Sequence, residues 1–504
     1  VALLCVLAIS AAFHLALLMR TPAPFVDEGW YASRAWGLLH TGYSFGSVDS
    51  GVLENYPGYE FYFPYMASVI HAPFLVLAGP TLLAVRLASL TFGILLLVAI
   101  YSIARSLYGM GVGLISVLVI SAIHSFLLAA HLGRHDGVVA AMGFGAIALF
   151  YRANKERFSW LTLLAGLLAA LSVDVHPNGL LYVSALGLLC LIEQGRRFYR
   201  SGRFWALVTG SAMGLAFYVT IHILSVPGPK AYFEMNKIII AGSRSPPALS
   251  LDPVGWARSI WETLGLVASM LGAPVALLTA GGLALMLTRR GESDRKALIT
   301  LGILFLVASG LLQAKAPHYA ILVTPFCAIL VSALIVWAMQ LRLKERVTVL
   351  ALRSVLAGLL ITSLVQEVNS ARQDPIPDYD TALQHIRTFV SPDAVIIGPQ
   401  TYWFAFPESR YLSWDQIYYY RRHSPGASVE EAMSALHPDI FITDGWVEIF
   451  LTDDAALLSQ PDGTYLSLSE MRTYLDRNAT LLDKLDTTTF GTIRIYRIER
   501  AALR

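Results

Sequence analysis

Tyr62-Phe63-Pro64-Tyr65-Met66-Ala67-Ser68-Val69-Ile70-His71-Ala72-Pro73-Phe74-Leu75-Val76-Leu77-Ala78-Gly79 is apolar enough to pass for a membrane span. Its aromatic, proline-split opening and its internal His71 and Pro73 argue against that reading. The segment decides the topology, because eleven other apolar runs of spanning length lie around it. They fall near 1–19, 83–104, 110–131, 137–152, 158–173, 179–193, 204–225, 262–287, 298–314, 318–338 and 348–366. Suppose 62–79 also crosses and the N-terminus is cytoplasmic. Arg105, Lys155/Arg157, Arg196/Arg197/Arg200/Arg203, Arg289/Arg290/Arg295/Lys296 and Arg342/Lys344/Arg346 then lie outside. That opposes the bias of basic loops to the cytoplasm. If 62–79 is interfacial or re-entrant, all of these clusters fall inside. The expectation is therefore a polytopic α-helical protein of about eleven spans (range 11–13), N-terminus in and C-terminal domain out. A full inversion with an external N-terminus satisfies the charge rule equally.

Composition agrees with a lipid-solvated chain. Of 504 residues, 56% are hydrophobic and only 14% charged, too few for the water-facing surface of a soluble protein this long. The net charge of +2 hides a division: residues 1–366 carry 25 Lys/Arg against 15 Asp/Glu, and 367–504 carry 12 against 20. The basic part reads as cytoplasmic loop charge, and no basic patch interleaved with aromatics points to nucleic acid. Cys5, Cys190 and Cys327 all sit in apolar runs, so no disulfide holds the tail. Segment 1–19 lacks a small-x-small cleavage site before Arg20 and reads as a retained first span.

The tail from Glu367 onward has another texture. After a linker or turn at Asp374-Pro-Ile-Pro-Asp-Tyr, helical spacing over Tyr379–Phe389 precedes a buried strand, Ala394-Val-Ile-Ile, ending at Gly398-Pro399. A short helix at Glu430–Leu436 precedes a second buried strand at Asp439–Asp444. Leu466–Leu475 is helical, and Thr492–Ile498 alternates like an edge strand. Asp444-Gly445 and Asp462-Gly463 read as turns. A small α/β domain follows, with no phosphate loop or metal-ligand cluster, suited to supporting or gating a site elsewhere.

Three domain-level segments result: a membrane domain over 1–366, a first external loop with juxtamembrane helices within 20–80, and the soluble domain over 367–504. The polar motifs gather at one membrane edge. Asp27 and Glu28 follow the first span; the plain alternative is that they cap the helix starting at Gly29-Trp30. Glu54, Tyr56 and Tyr59 mark the aromatic half of the same loop. Arg134-His135-Asp136 stands at a span boundary, where charges are often mere anchors. Asp174, His176 and Asn178 surround a Pro-Gly turn that accounts for the break but not for the ionisable groups. Lys315, His318 and Tyr319 open another run; the lysine either anchors the interface or neutralises a phosphate at headgroup depth. Lys237 and Arg244 lie in a loop on the same expected side. Carboxylates beside fixed cations suit an anionic leaving group and a hydroxyl acceptor that must lose a proton.

In order and topology these motifs resemble the GT-C-type integral membrane glycosyltransferases, in particular the protein-mannosyltransferase-like and lipid A aminoarabinose-transferase-like family. Asp27 matches its acidic residue after the first span, and segments 30–39 and 62–77 its juxtamembrane helices. Arg86-Leu-Ala-Ser-Leu-Thr-Phe-Gly93, Ala104-Arg-Ser-Leu-Tyr-Gly109, Arg134-His-Asp136 and Lys315-Ala-Pro-His-Tyr319 match further elements. His176-Pro-Asn-Gly179 departs from the family's Thr-Lys-Gly-like turn by lacking the lysine. The resemblance implies inverting transfer of a sugar from a polyprenyl-phosphate donor to an extracytoplasmic protein, lipid or glycan at the plasma membrane. Asp27 (with Glu28 beside it) would be the general base, and Asp136 would orient the acceptor. Arg134, Lys315, His318 and Tyr319 would bind the donor phosphate. Glu54, Tyr56, Tyr59, His135, Asp174, His176 and Asn178 are the further substrate-binding candidates. No cofactor is required; a divalent metal ion, if used, would take Asp27 or Asp136. The rival readings are a transporter, which predicts ionisable groups at span midpoints and matching halves, and a non-catalytic assembly protein.

Overall fold

A computed structural model describes residues 1–153, 158–225, 230, 232–235, 252–312, 315–340, 350, 354, 358, 361, 365, 368, 369, 377–451 and 469–499. Lys155, Arg157, Lys237, Arg244, the 342–346 cluster, most of the 348–366 run, Asp374–Ile376, Asp462-Gly463 and Leu466–Leu468 lie outside those residues.

The chain is a multi-pass α-helical membrane protein. Among the described residues four helices are long and apolar enough to cross a bilayer: Leu82–Tyr108, Pro177–Arg200, Gly202–Leu224 and Pro253–Arg289. A fifth crossing comes from Met110–Ser121 and His124–His131 if that pair, bent by 71°, is one span. Ala2–Leu17, Trp160–Val175 and Thr324–Gln340 are apolar but shorter. Several runs expected to span are therefore broken or short. The run 110–131 kinks at Ala122-Ile123 with no proline or glycine at the joint. The helix Pro253–Arg289 breaks at Gly272, where φ is +71°, a value only glycine adopts cheaply, just before Pro274.

Two compact units make up the chain. The first comprises Val1–Pro22, Arg86–Val219 and Ser245–Gln373. Small residues set its close helix approaches. A Cβ at Gly210 would stand 1.9 Å from the Leu163 carbonyl oxygen, and one at Gly166 2.4 Å from that of Leu207, so only glycine lets Trp160–Val175 and Gly202–Val219 pack backbone to backbone. Arg86, fully buried, donates to the carbonyls of Leu18 (2.9 Å) and Pro22 (3.0 Å) and so ties off the end of the first helix. Its place in the Arg86–Gly93 motif thus has a structural cause: it satisfies orphan carbonyls in an apolar setting.

The second unit comprises Ala23–Val85, Thr220–Arg244 and Asp374–Arg504. Its sheet runs in the order β2-β1-β3-β5-β4, with β1 Ile396–Gly398, β2 Tyr411–Ser413, β3 Ile440–Thr443, β4 Ala479–Thr487 and β5 Gly491–Ile498. The strands β2, β1 and β3 are parallel, whereas β5 lies antiparallel to both β3 and β4. Thr492–Ile498 is therefore an inner strand, not an edge; the edge on that side is β4, whose alternation is spoiled by a register shift between Leu481 and Asp483. Asp444-Gly445 is a helix start, not a plain turn, because Asp444 Oδ1 accepts from the backbone N–H of Trp446 (3.0 Å) and Val447 (2.9 Å).

From Ala23 onward the segment 20–80 is built into this same unit. Its helices Val26–Thr41 and Tyr65–Ala78 pack together. Val52, Leu53 and Phe63 join a core with Ile397, Leu412, Trp414 and Phe441 of the tail. Gly29 meets the backbone of Gln400 so closely that a Cβ would lie 1.9 Å from its carbonyl oxygen. Trp403 donates to Ser47 (3.0 Å), and Gln416 bridges the Asp49 carbonyl and the Val52 N–H (both 3.2 Å).

Candidate active site

The helix His135–Arg152 starts with Arg134 at its N-cap and Asp136 in its first turn, where a carboxylate is favoured by the helix dipole. Arg134 Nε donates to Asp136 Oδ2 at 2.8 Å, and both side chains are buried. Arg134 also hydrogen-bonds the Tyr319 phenol. A buried ion pair of this kind is costly to assemble and severe to break, so Arg134 is no surface anchor. Gly137 lets the helix start beneath its neighbour, since a Cβ there would stand 2.4 Å from the Ala129 carbonyl oxygen. His135 is buried in the same turn.

A second turn meets this one. Trp160–Val175 ends with Asp174 buried in its last turn, where the dipole disfavours a carboxylate. His176 caps the short helix Pro177–Gly179: its Nδ1 accepts from the Asn178 backbone N–H at 3.2 Å. That bond assigns the lone pair to Nδ1 and leaves Nε2 as the donor of a neutral ring. Burial lowers the His176 pKa, with Asp136 opposing and Arg134 adding to the effect. The Asn178 Nδ2 is buried and faces the Tyr319 phenol. Gly179 is again obligatory, because a Cβ would lie 2.4 Å from the Ser172 backbone.

The third contribution is the short helix Pro317–Leu322, packed against His135–Arg152. The Tyr319 ring lies 6.0 Å from that of His176 and 4.4 Å from that of His318. Tyr182 anchors this helix by donating to the Leu322 carbonyl (3.1 Å), its ring seated over Gly143. Lys315 donates to the Ser309 (3.3 Å) and Leu312 (2.7 Å) carbonyls at the end of Glu292–Leu311, a C-capping contact. Burial lowers its pKa while Glu262 supports the charge. Glu262 escaped the sequence reading, although a lone carboxylate in an apolar helix is a visible signal.

Thus Arg134, Asp136, His176, Asn178, His318 and Tyr319 converge, with Lys315 two residues before that helix. Asp27, Glu28, Glu54, Tyr56 and Tyr59 belong to the other unit. Glu28 is fully buried and accepts from the Phe25 N–H at 2.8 Å, the capping role anticipated for the pair, whereas Asp27 is half-buried. Glu54 accepts from the Gly51 N–H (3.0 Å) and pairs with Arg410 (3.0 Å), and Tyr56 hydrogen-bonds His423. Tyr59 packs edge-on against Phe45 at 4.6 Å. The sequence reading missed the bidentate pair Arg34–Asp49 (both bonds 2.8 Å), whose guanidinium lies 3.7 Å from the Phe63 ring centre. Among the described residues no group of three or more His, Cys, Asp or Glu side chains is assembled, and Arg134 already occupies Asp136.

Residues 63–223 match the family profile described as dolichyl-phosphate-mannose-protein mannosyltransferase. No curated protein matches the sequence. The fold is similar to that of ArnT from Cupriavidus metallidurans bound to undecaprenyl phosphate, with a TM-score of 0.66 at 13% identity over 98% of this chain and 97% of that one. It is also similar to the oligosaccharyltransferase AglB from Archaeoglobus fulgidus in complex with an inhibitory peptide and dolichol-phosphate, with a TM-score of 0.56 at 14% identity over 97% and 74% of the two chains. The chain therefore has a GT-C-type glycosyltransferase fold.

Proposed function

We propose that the protein is a glycosyltransferase that moves a sugar from a polyprenyl-phosphate donor to an extracytoplasmic protein, lipid or glycan acceptor, with inversion. The observation that carries this reading is a buried Arg134–Asp136 pair ringed by His176, His318, Tyr319 and the Asn178 amide, in a fold similar to enzymes of lipid-phosphate sugars. Asp27 takes the acceptor's hydroxyl proton as its oxygen attacks the anomeric carbon, and the bond from that carbon to the phosphate oxygen breaks. Polyprenyl phosphate leaves with the bonding electrons. Arg134, which is fixed and always charged, and the Lys315 ammonium stabilise the phosphate. The Nε2–H of His176 and the Asn178 amide are neutral donors preorganised for its oxygens, standing where the family's turn lysine is missing. Asp136 holds the Arg134 fork in place and orients the acceptor, and no step is routed through a metal.

The proposal includes eleven spans, a cytoplasmic N-terminus and an external 367–504 domain, with the loop 20–80 on the same side as that domain. Supporting it are the five basic clusters that this arrangement places inside. A lipid-borne donor also explains why the polar cluster is built between membrane helices and not in a soluble nucleotide-binding domain. The test is transfer by purified protein in lipid, using radiolabelled polyprenyl-phosphate sugars and a membrane extract as acceptor source. Label in an acceptor with inverted anomeric configuration supports the proposal; no transfer from any such donor defeats it.

A further inference from the structure

At the far end of the helix His135–Arg152, about 24 Å along its axis from Asp136, two cavities join. One, of about 490 Å³, is lined by Tyr101, Ser102, Arg105, Ser106 and Arg152 together with Leu3 and Val98. The other, of about 320 Å³, shares Val98, Ser102 and Arg152 with it and is otherwise apolar, walled by Phe92, Leu95, Ala141, Leu149 and Leu168 among others. The result is a groove between Leu82–Tyr108 and His135–Arg152, basic at one end and greasy along the rest.

Charge sets this groove apart from its neighbour. A third cavity of about 400 Å³ carries Glu193, Glu292, Arg295 and Lys296, and there Lys296 is paired with Glu292 at 2.6 Å. Its charges cancel. Among the described residues the groove has two arginines and no carboxylate in its lining, and neither Arg105 nor Arg152 has an ion-pair partner. Arg105 only rests near the Tyr101 ring, 6.0 Å from its centre. A guanidinium pair with hydroxyls beside it matches a phosphate monoanion, and the adjoining apolar channel matches an acyl chain.

We propose that this groove is a binding site for one anionic phospholipid of the bilayer, its phosphate between Arg105 and Arg152 and an acyl chain along Phe92, Ala141 and Leu168. The headgroup is held by charge and the chain by apolar contact, so a zwitterionic lipid, whose own ammonium competes with the arginines, binds less well. The site lies at the opposite end of its helix from the Arg134–Asp136 cluster and is independent of sugar transfer.

The full chain in phosphatidylcholine nanodiscs, doped with spin-labelled phosphatidylglycerol or spin-labelled phosphatidylcholine, reports the motionally restricted lipid per protein. Wild type should restrict phosphatidylglycerol preferentially. Each arginine is expected to contribute about five-fold, so R105Q/R152Q lowers the relative affinity roughly 30-fold. Both side chains are exposed, so the variant is expected to fold. Gly145→Leu, whose Cβ meets only the flexible Leu168 side chain at 3.3 Å, fills the apolar half and should weaken binding with both arginines present. R295Q/K296Q in the neutral cavity should not. Equal restriction of the two lipids, retained preference in R105Q/R152Q, or loss in R295Q/K296Q instead overturns the assignment. So does preference for polyprenyl phosphate over phosphatidylglycerol in the same discs.

Discussion

Gly143→Ala tests whether the donor-side cluster is held by packing far from it. An added Cβ would stand 2.1 Å from Tyr182 Cδ2 and 2.2 Å from Cγ, in a ring that is fully buried and edge-packed on Phe144 at 5.6 Å. Carbon atoms settle about 3.5–4.0 Å apart, so the ring must retreat by more than about 1 Å. Overpacking of a tight core costs about 1–3 kcal/mol. The retreat also pulls the phenol from the Leu322 carbonyl, now 3.1 Å away, for about 1 kcal/mol more. The sum, about 2–4 kcal/mol, should lower the thermal midpoint of the purified protein by several degrees. Because Leu322 ends the helix carrying His318 and Tyr319, transfer should also fall, and a displacement of about 1 Å can cost ~100-fold. Thermal unfolding in detergent, run beside the sugar-transfer assay, reads both. Gly143→Ala with Tyr182→Leu should recover stability but not rate, because the anchor is gone. A Gly143→Ala protein with unchanged midpoint and rate would refute the argument that Tyr182 positions this helix.

Other perturbations address separate parts of the structure. Asp136→Asn leaves Arg134 buried without its counter-charge and should cost about 3–5 kcal/mol of stability as well as activity, read by the same two assays. Arg34→Ala strands Asp49 in the second unit and should destabilise by a similar ~3–5 kcal/mol, whereas Arg410→Ala, removing an exposed pair with Glu54, should cost under about 1 kcal/mol. Asp415 is partly buried, and desolvation pushes its pKa up to about 6 although Ser413 and Gln400 donate to it. The folded state then keeps a proton that the unfolded chain releases near pH 4. Its contribution is complete below about pH 4 and is lost as pH rises through 6, a change of ~3 kcal/mol. Asp415→Asn should flatten this pH dependence and raise stability at pH 8, measured by unfolding across pH 4–8.

Much of the architecture was legible because burial leaves periodic traces. The buried strands Ile396–Gly398 and Ile440–Thr443 are short apolar runs ended by turn or cap residues, and the helices Val26–Thr41 and Tyr65–Ala78 overlap the segments 30–39 and 62–77 that the family resemblance implied as juxtamembrane helices. The strand Ala479–Thr487 was not legible: consecutive Leu481-Leu482, with the bulge at Leu482, destroy the two-residue period. Nor was the break at Ala122-Ile123, which holds no helix-breaking residue and is followed by a tertiary hydrogen bond, Ser125 to Thr324 at 2.8 Å. At the site, Arg134, Asp136, His176, His318 and Tyr319 were visible as ionisable groups where apolar runs end. Their mutual approach was not, because residues about forty to nearly two hundred positions apart meet only through helix packing. The Arg34–Asp49 pair was missed for a related reason, since a charged residue in an exposed-looking loop gives no hint that the loop is buried.

The central claim, acid–base sugar transfer from a lipid phosphate, is tested most directly by single-turnover transfer in lipid with wild type and Asp27→Asn side by side. The account predicts transfer by wild type and a loss of about 10²–10⁴-fold in the variant, with an unchanged unfolding midpoint. Equal rates in the two proteins would remove Asp27 as the base and contradict the mechanism.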